Sequence, residues 1–373
     1  MKRRADGVER KHSTWRDALP KAWWWVGMLS CTWASHTLAQ GAPSEAHQPA
    51  APSASATSPT SPTSPTSATS ANDHCPPPVP ALTQKRVQQL MAHPQNRGLL
   101  WKVEHGKQSA WLYGTVHAGR EAYMVHGPVV HKALLEADSV ALELNMLDPK
   151  VIKALQDGMR QPPNAPALPA ALQRRLDRQN QAACVPEQAT QMRPDAQIIS
   201  LGLVQGQHQG IRPEYGVDMA VAHYAQAMGK PVYSLETPEQ QLRVLISDDP
   251  KKVQDVVEKG LRQLEAGDVP AQIEKMLNAW ERGDGKTLAA YPQWCNCIVD
   301  DVDRADMKRL NEDRNPGMAK EIMRLMASGK RPFVAVGSLH LLGEQSIPQL
   351  LEARGMKVQR VPLPVLAPAK SAP

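Results

Sequence analysis

Two short stretches of the sequence decide the fold: Phe333 to Glu344 reads FVAVGSLHLLGE, and Ala110 to Gly119 reads AWLYGTVHAG. Each is an apolar run that ends in Gly-x-x-His and reaches a second glycine a few residues later. A short apolar run bounded by such turn signals is typical of a buried strand. The first glycine of each motif permits a sharp turn where the strand ends, and His117 or His340 then projects from the loop. The sequence therefore predicts two histidines delivered from the ends of two strands.

The same order of elements follows both motifs. After the first come a helix from about Pro128 to Ala137 and a strand from Val140 to Leu144. After the second come a helix from Ile347 to Ala353 and a strand from Met356 to Val361, and both helices contain the letters LLEA. This shared order suggests an ancient duplication. Strand–helix–strand units predict parallel pairing, and ligand sites in such sheets collect beyond the carboxyl ends of the strands.

The remaining pattern predicts an α/β fold with a mixed, largely parallel central sheet, flanking helices and a helix-rich middle insertion. Leu99 to Val103 and Ser109 to Val116 read as a hairpin, and Pro332 to Val336 begins the last unit. Another strand is predicted from Pro231 to Leu235. Helices are predicted over Pro169–Asn180, Pro186–Gln191, Gly216–Met228 and most of Glu239–Ser328.

Residues 1–39 have the pattern of a signal peptide. Seven Lys or Arg residues lie in the first 21 positions, an uncharged stretch with several tryptophans follows, and small residues surround Ala39. The apolar segment is too short and interrupted to span a bilayer well. We therefore predict export to the periplasm or cell envelope, or secretion. Cleavage after Ala39 is favoured over retention of the segment as an uncleaved anchor. We expect contact with a membrane only if the segment is retained.

The basic charge of the chain comes mostly from this segment. Seven of the 43 basic residues and three of the 37 acidic residues lie in 1–39, which leaves a net charge of +2 on the rest. The charge therefore gives no support to nucleic-acid binding. No pattern in the sequence indicates an oligomeric state.

Residues 40–84 predict a disordered linker rich in Pro, Ser and Thr. Ten prolines lie in 41–80, where Glu45 and Asp73 are the only Asp or Glu residues. Such a segment cannot bury enough apolar surface to offset the entropy of ordering. The folded domain is predicted over 85–361, long enough for one sizeable core, and 362–373 as a disordered tail.

Four cysteines follow the predicted signal peptide: Cys75, Cys184, Cys295 and Cys297. An even number in an exported protein favours disulfides over a zinc site, because the single C-x-C has no second close pair. A bond between Cys295 and Cys297 would be strained at a separation of two residues. We therefore expect both to pair outward, with Cys75 and Cys184.

Two carboxylates fall at predicted strand ends, beside the two histidines. Glu143 ends VALEL, and Glu236 ends a strand in SLET, where it alternatively helps to start the next helix. A carboxylate at a buried strand end must be paired, metal-bound or neutralised. Two imidazoles and one carboxylate can hold a divalent cation and leave a position open for water, which would make a hydrolase. The contrasting interpretation is that the histidines only satisfy their loops.

Other polar residues have simpler interpretations from their spacing alone. Asp218 falls in the first turn of a helix, where a carboxylate suits the exposed amides. Arg314 and Asn315 fit a solvated charged face. The histidines at 126, 131, 208 and 223 are interpreted as surface or packing residues.

The motifs together resemble the TraB/GumN family, to which the animal Tiki proteins are related. The resemblance rests on GTVH, ALELN, EYGVD, KPVYSLET, DRNPGMA and VAVGSLHLLGE followed by IPQLLEARGMKV, in that order. It runs from about Leu99 to Val361. Each motif alone is weak, but their order is specific.

The resemblance implies a metal-dependent peptidase, because Tiki proteins are metal-dependent peptidases and TraB-type proteins are linked to the shutdown of peptide pheromones. It implies a fold like that of the erythromycin esterase and ChaN group, and a divalent cation such as Mn, Co or Zn. The family's two GX2H motifs and acidic residue fall on His117, His340 and Glu143. Further family positions match the catalytic candidates Arg314 and Asn315 and the substrate-binding candidates Tyr215, Asp218 and Glu236. Gly216 also matches a family position.

Two functions therefore stay open from the sequence. The first is a divalent-metal-dependent hydrolase acting on a peptide or protein. The second is a module of the cell envelope that binds a peptide or a small ligand, such as haem, without turnover. An envelope scaffold whose histidines have no ligand is the third and simplest interpretation.

Overall fold

The computed structural model describes residues 75–76, 78–80 and 82–364. The predicted signal peptide, the linker up to residue 74 and residues 365–373 of the tail lie outside the described residues. Residues 362–364 lie against the domain: Asn96 Nδ2 donates to Pro364 O over 3.1 Å, and Leu363 packs on the core. Among the described helices, none has the length and apolar character needed to cross a membrane.

The described chain forms six strands and fourteen α-helices. The strands are β1 Leu99–His105, β2 Gln108–Thr115, β3 Ser139–Leu142, β4 Val232–Ser234, β5 Pro332–Gly337 and β6 Lys357–Val361. The helices are α1 Gln84–Ala92, α2 Pro128–Glu136, α3 Pro149–Met159, α4 Ala170–Ala182, α5 Pro194–Val204, α6 Val217–Ala227, α7 Pro238–Leu245, α8 Pro250–Ala266, α9 Val269–Glu281, α10 Gly285–Ala289, α11 Tyr291–Trp294, α12 Asp301–Leu310, α13 Asn315–Ala327 and α14 Ile347–Glu352. Short 3-10 helices cover Glu121–Met124, Glu187–Gln191, Gln207–Gln209, Pro213–Tyr215, Glu312–Arg314 and Ser338–Leu341.

All six strands form one mixed sheet in the order β4-β3-β5-β2-β1-β6. The neighbours β4, β3, β5 and β2 pair in parallel, and β1 is antiparallel to both β2 and β6. A mixed α/β fold with a largely parallel sheet is therefore confirmed, as are the predicted strands and the helix-rich middle.

The sequence suggested that the two strands of each related unit pair with each other. In the structure they are not neighbours. β5 lies between β2 and β3, and β2 and β1 lie between β5 and β6. The strands within each unit are parallel, but the units are interleaved. The motif strands β2 and β5 thereby become direct neighbours, with Gly114 opposite Val336 and Thr115 opposite Gly337.

A close approach of backbones joins the two motif strands where they end. A Cβ atom on Gly114 would lie 2.8 Å from Ser338 Oγ, so a larger residue would force Ser338 to shift. Ser338 Oγ donates to Thr115 O over 2.9 Å, and Trp280 Nε1 donates to Gly114 O over 2.7 Å. These bonds satisfy strand-end carbonyls that would otherwise be buried without partners.

The main core lies around the central strands. β3 is buried along its whole length and β5 along its first five residues, so both faces of the sheet are covered there. The helices α6 and α13 pack on these strands and bury apolar side chains such as Val221 and Ile322. Each such side chain, when fully buried, contributes roughly 1.5–3 kcal/mol of hydrophobic stabilisation.

The helix-rich insertion has a second, separate core. The helices α4, α5 and α8 meet there, and α8 places buried residues on one face at helical spacing. The buried members are Leu168, Leu176, Ile198, Leu201, Val257, Leu261 and Leu264.

Helix α1 was not predicted. None of its residues is buried. Thr83 caps its first turn by accepting from Arg86 N over 3.2 Å, and Arg86 Nε donates to both carboxylate oxygens of Glu121 over 2.9 Å. A cap and one ion pair therefore hold this helix.

The expected disulfide pairing was wrong. Cys75 is bonded to Cys184, and Cys295 is bonded to Cys297. Asn296 has φ +52°, a left-handed conformation that asparagine tolerates, and it brings the two flanking Cα atoms within 5.0 Å. That separation is within the usual range for a disulfide, so the short spacing does not prevent the bond.

Candidate functional site

Four adjacent parallel strands each deliver one polar side chain to the same edge of the sheet. Along the carboxyl ends of β4, β3, β5 and β2, in that order, stand Glu236, Glu143, His340 and His117. Strands of opposite direction would send these residues to opposite edges. The parallel order therefore creates one polar row from residues more than 200 positions apart in sequence.

Three of these side chains surround Gly337. A Cβ atom on this glycine would lie 3.3 Å from Glu143 Oε1, 3.5 Å from His340 Cδ2 and 3.8 Å from His117 Nε2. The Gly337 amide also donates to Glu143 Oε1 over 2.7 Å. The glycine that turns the chain after β5 therefore leaves space at the point where the imidazoles and the carboxylate meet.

His340 is held deep in the site by the start of α13. Its Nδ1 lies 2.7 Å from Asn315 Oδ1, and Asn315 Nδ2 donates to Gln345 O over 2.8 Å. Because the amide nitrogen is already used, the Asn315 oxygen must accept, so His340 carries its proton on Nδ1. Its Nε2 then carries the free lone pair and lies 3.7 Å from Glu143 Oε1.

His117 stands at the rim, against the start of α6. Its Nδ1 lies 3.5 Å from Asp218 Oδ1, an oxygen atom that is itself buried. The helix begins at Gly216 without a side-chain cap, so Asp218 does not cap it. A Cβ on Gly216 would lie 2.8 Å from His117 O, so the glycine allows this approach.

The guanidinium of Arg314 lies between the two carboxylates. Arg314 Nη2 donates to Glu143 Oε2 over 2.6 Å and also to Glu236 Oε2, and Nε donates to Glu236 Oε1 over 3.0 Å. Its Nη1 donates to Leu310 O over 3.0 Å and lies 3.3 Å from His340 Nε2. Arg314 therefore places a positive charge between two carboxylates that would otherwise repel each other.

Gln241 is a member of the site that the sequence did not indicate. Its Nε2 donates to Glu236 Oε2 over 3.2 Å and to Glu143 Oε2 over 3.4 Å. It lies in the first turns of α7, which Thr237 and Gln240 start with a reciprocal capping box. Thr237, not Glu236, therefore caps this helix.

The two histidines have opposite electrostatic environments. Burial lowers the pKa of His340, and Glu143 offsets this only in part, so the ring is neutral. Burial also acts to lower the pKa of His117, but the carboxylates of Asp218 and Glu143 outweigh it and raise that pKa to about 9. Burial alone would raise the pKa of Glu143, yet His340, His117, Arg314 and the Gly337 amide lower it to about 2.

Solvent reaches this row from one side. The His117 side chain is 55 % exposed, whereas that of His340 is 6 % exposed, and the carboxylates and Arg314 are nearly as buried. An incoming molecule therefore meets His117 first.

Imidazole nitrogens and a carboxylate oxygen are the types of atom that bind a divalent cation. Each imidazole turns its Nδ1 to an oxygen acceptor and its Nε2 inward, as metal-binding histidines do, and Glu143 adds an oxygen ligand. In the present conformation Arg314 stands among these donors. Within the described part of the chain, no group of three His, Cys, Asp or Glu side chains is arranged so that it could hold a metal ion.

The remaining predicted residues lie just outside this row. Asn315 is 1 % exposed, and its side chain contacts His340. Tyr215 is buried beside the loop after His117. Its pKa is raised mainly by this burial and, to a smaller extent, by the negative charge of Glu121. His126 and His131 pack edge-on against Tyr224, as interpreted from the sequence.

Comparison with known proteins assigns the chain to a family. The model of the TraB/PrgY/gumN family matches residues 99–360, which include every residue of the site. YbaP of Escherichia coli (strain K12) and YbaP of Shigella flexneri, both described as uncharacterized, are each 29 % identical over 159 residues. The alignment covers 40 % of this chain and 53 % of each relative, so the chain spans about half the length of these curated relatives. No solved structure matches. On the family match, which covers most of the sequence and the whole sheet, the chain belongs to the TraB/PrgY/gumN family.

Proposed function

We propose that the protein is a divalent-metal-dependent hydrolase, and that the cation is held by His117, His340 and Glu143. The observation that carries the proposal is their convergence around Gly337, with Nε2 of His117 and Oε1 of Glu143 both within 3.8 Å of one point. Local sequence cannot bring these three residues together, because they follow three different strands. Two imidazoles and one carboxylate are a common catalytic ligand set that leaves a position open for water.

The surrounding residues orient these ligands. Asn315 fixes the tautomer of His340, and Asp218 directs Nδ1 of His117. The Gly337 amide and Arg314 fix the two oxygens of Glu143, so that Oε1 faces the histidines. When bound, a cation would polarise the substrate carbonyl and lower the pKa of the attacking water.

The substrate class that we propose is a peptide or protein. The support is membership of the family together with the open rim at His117, which gives a chain-like substrate access from solvent. Tyr215, Asp218 and Glu236 remain proposed contacts for substrate, and Arg314 and Asn315 remain proposed catalytic residues.

We also propose that the protein is exported and that its fold is of the erythromycin esterase and ChaN type. The two disulfides support export, because such bonds persist in oxidising compartments. The sheet with its carboxyl-edge site supports the fold assignment.

Metal content and peptide hydrolysis test the proposal. Purified protein stripped with a chelator is titrated with Mn²⁺, Co²⁺ and Zn²⁺, and products of a peptide library are followed by mass spectrometry. We expect about one ion per chain, and we expect His117→Ala, His340→Ala and Glu143→Gln to reduce both binding and hydrolysis. His208→Ala is the matched control, because His208 is an exposed histidine away from the row.

Equal metal content in the wild type and the three site variants would count against the proposal. So would hydrolysis that persists unchanged after the chelator.

A second candidate is a module that binds a peptide or a small ligand such as haem without turnover. The observation that favours it is Arg314, whose nitrogens already engage both carboxylates and face His340. Ligand binding with no product under any of the three metals would support this candidate over the hydrolase.

A further inference from the structure

The Arg314 guanidinium is the resident cation of the site. Its Nη2 is shared between Glu143 Oε2 and Glu236 Oε2, and its Nε donates to the second oxygen of Glu236. Glu236 therefore binds Arg314 through both oxygens, whereas Glu143 uses only one for this purpose. The pKa of Arg314 is raised by these carboxylates despite its burial, so the charge is permanent.

Arg314 also engages the atom of His340 that a metal would need. Because Asn315 fixes the His340 proton on Nδ1, the Nε2 atom carries a free lone pair that can accept one hydrogen bond. Arg314 Nη1 lies 3.3 Å from that atom and donates to it. One lone pair cannot bond an N–H group and coordinate a cation at the same time.

We infer that Arg314 and a divalent cation compete for the same ligands, so that metal binds only when the guanidinium leaves His340 Nε2. The inference rests on the proposed function for the identity of the competing cation. Glu236, which holds two guanidinium nitrogens and is the strand-end carboxylate farthest from His117, is the residue that keeps Arg314 in place. Arg314 is therefore not a metal ligand. It lowers metal affinity by occupying the ligands His340 and Glu143.

The competition predicts that metal binding strengthens when the guanidinium is removed. Arg314→Met keeps the length of the side chain but removes its charge and its donors. Arg314→Lys keeps the charge but cannot bond to Glu143, Glu236 and His340 together. We expect Zn²⁺ to bind at least tenfold more tightly to Arg314→Met than to the wild type, with Arg314→Lys between them.

The measurement is isothermal titration of chelator-stripped protein with Zn²⁺, with thermal unfolding at each metal concentration as a second readout. We expect Arg314→Met to unfold at a lower temperature than the wild type without metal and to gain more from Zn²⁺, because its carboxylates then lack a counter-ion. Arg324→Met is the control: Arg324 lies on α13 and pairs with Glu321 away from the site. It should leave zinc affinity unchanged.

The outcomes separate this inference from the proposed function. If His117→Ala and His340→Ala weaken zinc binding while Arg314→Met and Arg314→Lys leave it unchanged or weaken it, the competition is overturned and the hydrolase stands. If the arginine variants bind more tightly but His117→Ala has no effect, the competition holds and the proposed ligand set is wrong. If neither the wild type nor any variant binds Zn²⁺, Mn²⁺ or Co²⁺, both are overturned. Where Arg314→Met does not fold, the order of Arg314→Lys and the wild type decides.

Discussion

The two Gly-x-x-His motifs are alike in sequence and unlike in environment. Both end neighbouring parallel strands and direct a histidine to the same edge. His340 is almost fully buried and its Nδ1 faces a neutral amide, whereas His117 is more than half exposed and its Nδ1 faces a carboxylate. The pKa is consequently lowered in one and raised to about 9 in the other. The motif therefore fixes where each histidine stands, and its partner fixes what the ring can do.

The largest contrast is expected in stability. Replacing His340 by alanine leaves Asn315 Oδ1 without its buried partner and also leaves a cavity. We expect a loss of about 2–4 kcal/mol in the free energy of unfolding. His117→Ala should cost less than about 1 kcal/mol, because solvent screens its pairing with Asp218. Urea unfolding of the metal-free variants measures both losses in free energy. Equal losses would contradict the assignment of His340 to the buried part of the site and of His117 to its rim.

The second contrast exchanges the partner of the deep histidine. Asn315→Asp gives His340 a carboxylate like that of His117, which favours the protonated ring and sets a buried charge against Gln345 O. We expect metal affinity to fall roughly 10–100-fold, the usual effect of changing such a partner. Titration with Zn²⁺ measures it. An affinity equal to that of the wild type would mean that Asn315 does not fix the His340 tautomer.

Sequence reasoning identified the row but not how it is neutralised. The apolar runs with their terminal glycines predicted β2, β5 and both histidines, because strand ends are encoded locally. The place of Gln241 depends instead on β4 lying beside β3, which brings the start of α7 to Glu143. No local pattern encodes that order of strands.

The same limit explains two further differences. Arg314 looked like part of a solvated face, since charged residues surround it in sequence, but the 3-10 helix Glu312–Arg314 turns it inward to the carboxylates. The disulfide between Cys295 and Cys297 was missed because it depends on the left-handed conformation of Asn296. Neither conformation has a signature in composition or spacing.

The third contrast exchanges the partner of the rim histidine. Asp218→Asn should lower the pKa of His117, because the carboxylate is the main group that raises it. We expect a loss of metal affinity near the lower end of the roughly 10–100-fold range for such partners. Nuclear magnetic resonance titration of the ring protons gives the pKa. An unchanged value would show that the 3.5 Å approach does not persist in solution.

The smallest expected effect is a pH dependence at alkaline pH to which His117 contributes and His340 does not. Its pKa is raised above the ordinary value of about 6.5, so its contribution to stability is complete below that value and is lost as pH rises through about 9. His340, with its lowered pKa, stays neutral over the same range. A metal ligand must be deprotonated, so zinc binding at pH 7.5 should release about one proton from the wild type and less from Asp218→Asn. Titrations in buffers of different ionisation enthalpy count that proton. Equal release from both proteins would place its source elsewhere than His117, and the two motifs would then be alike in charge as well as in sequence.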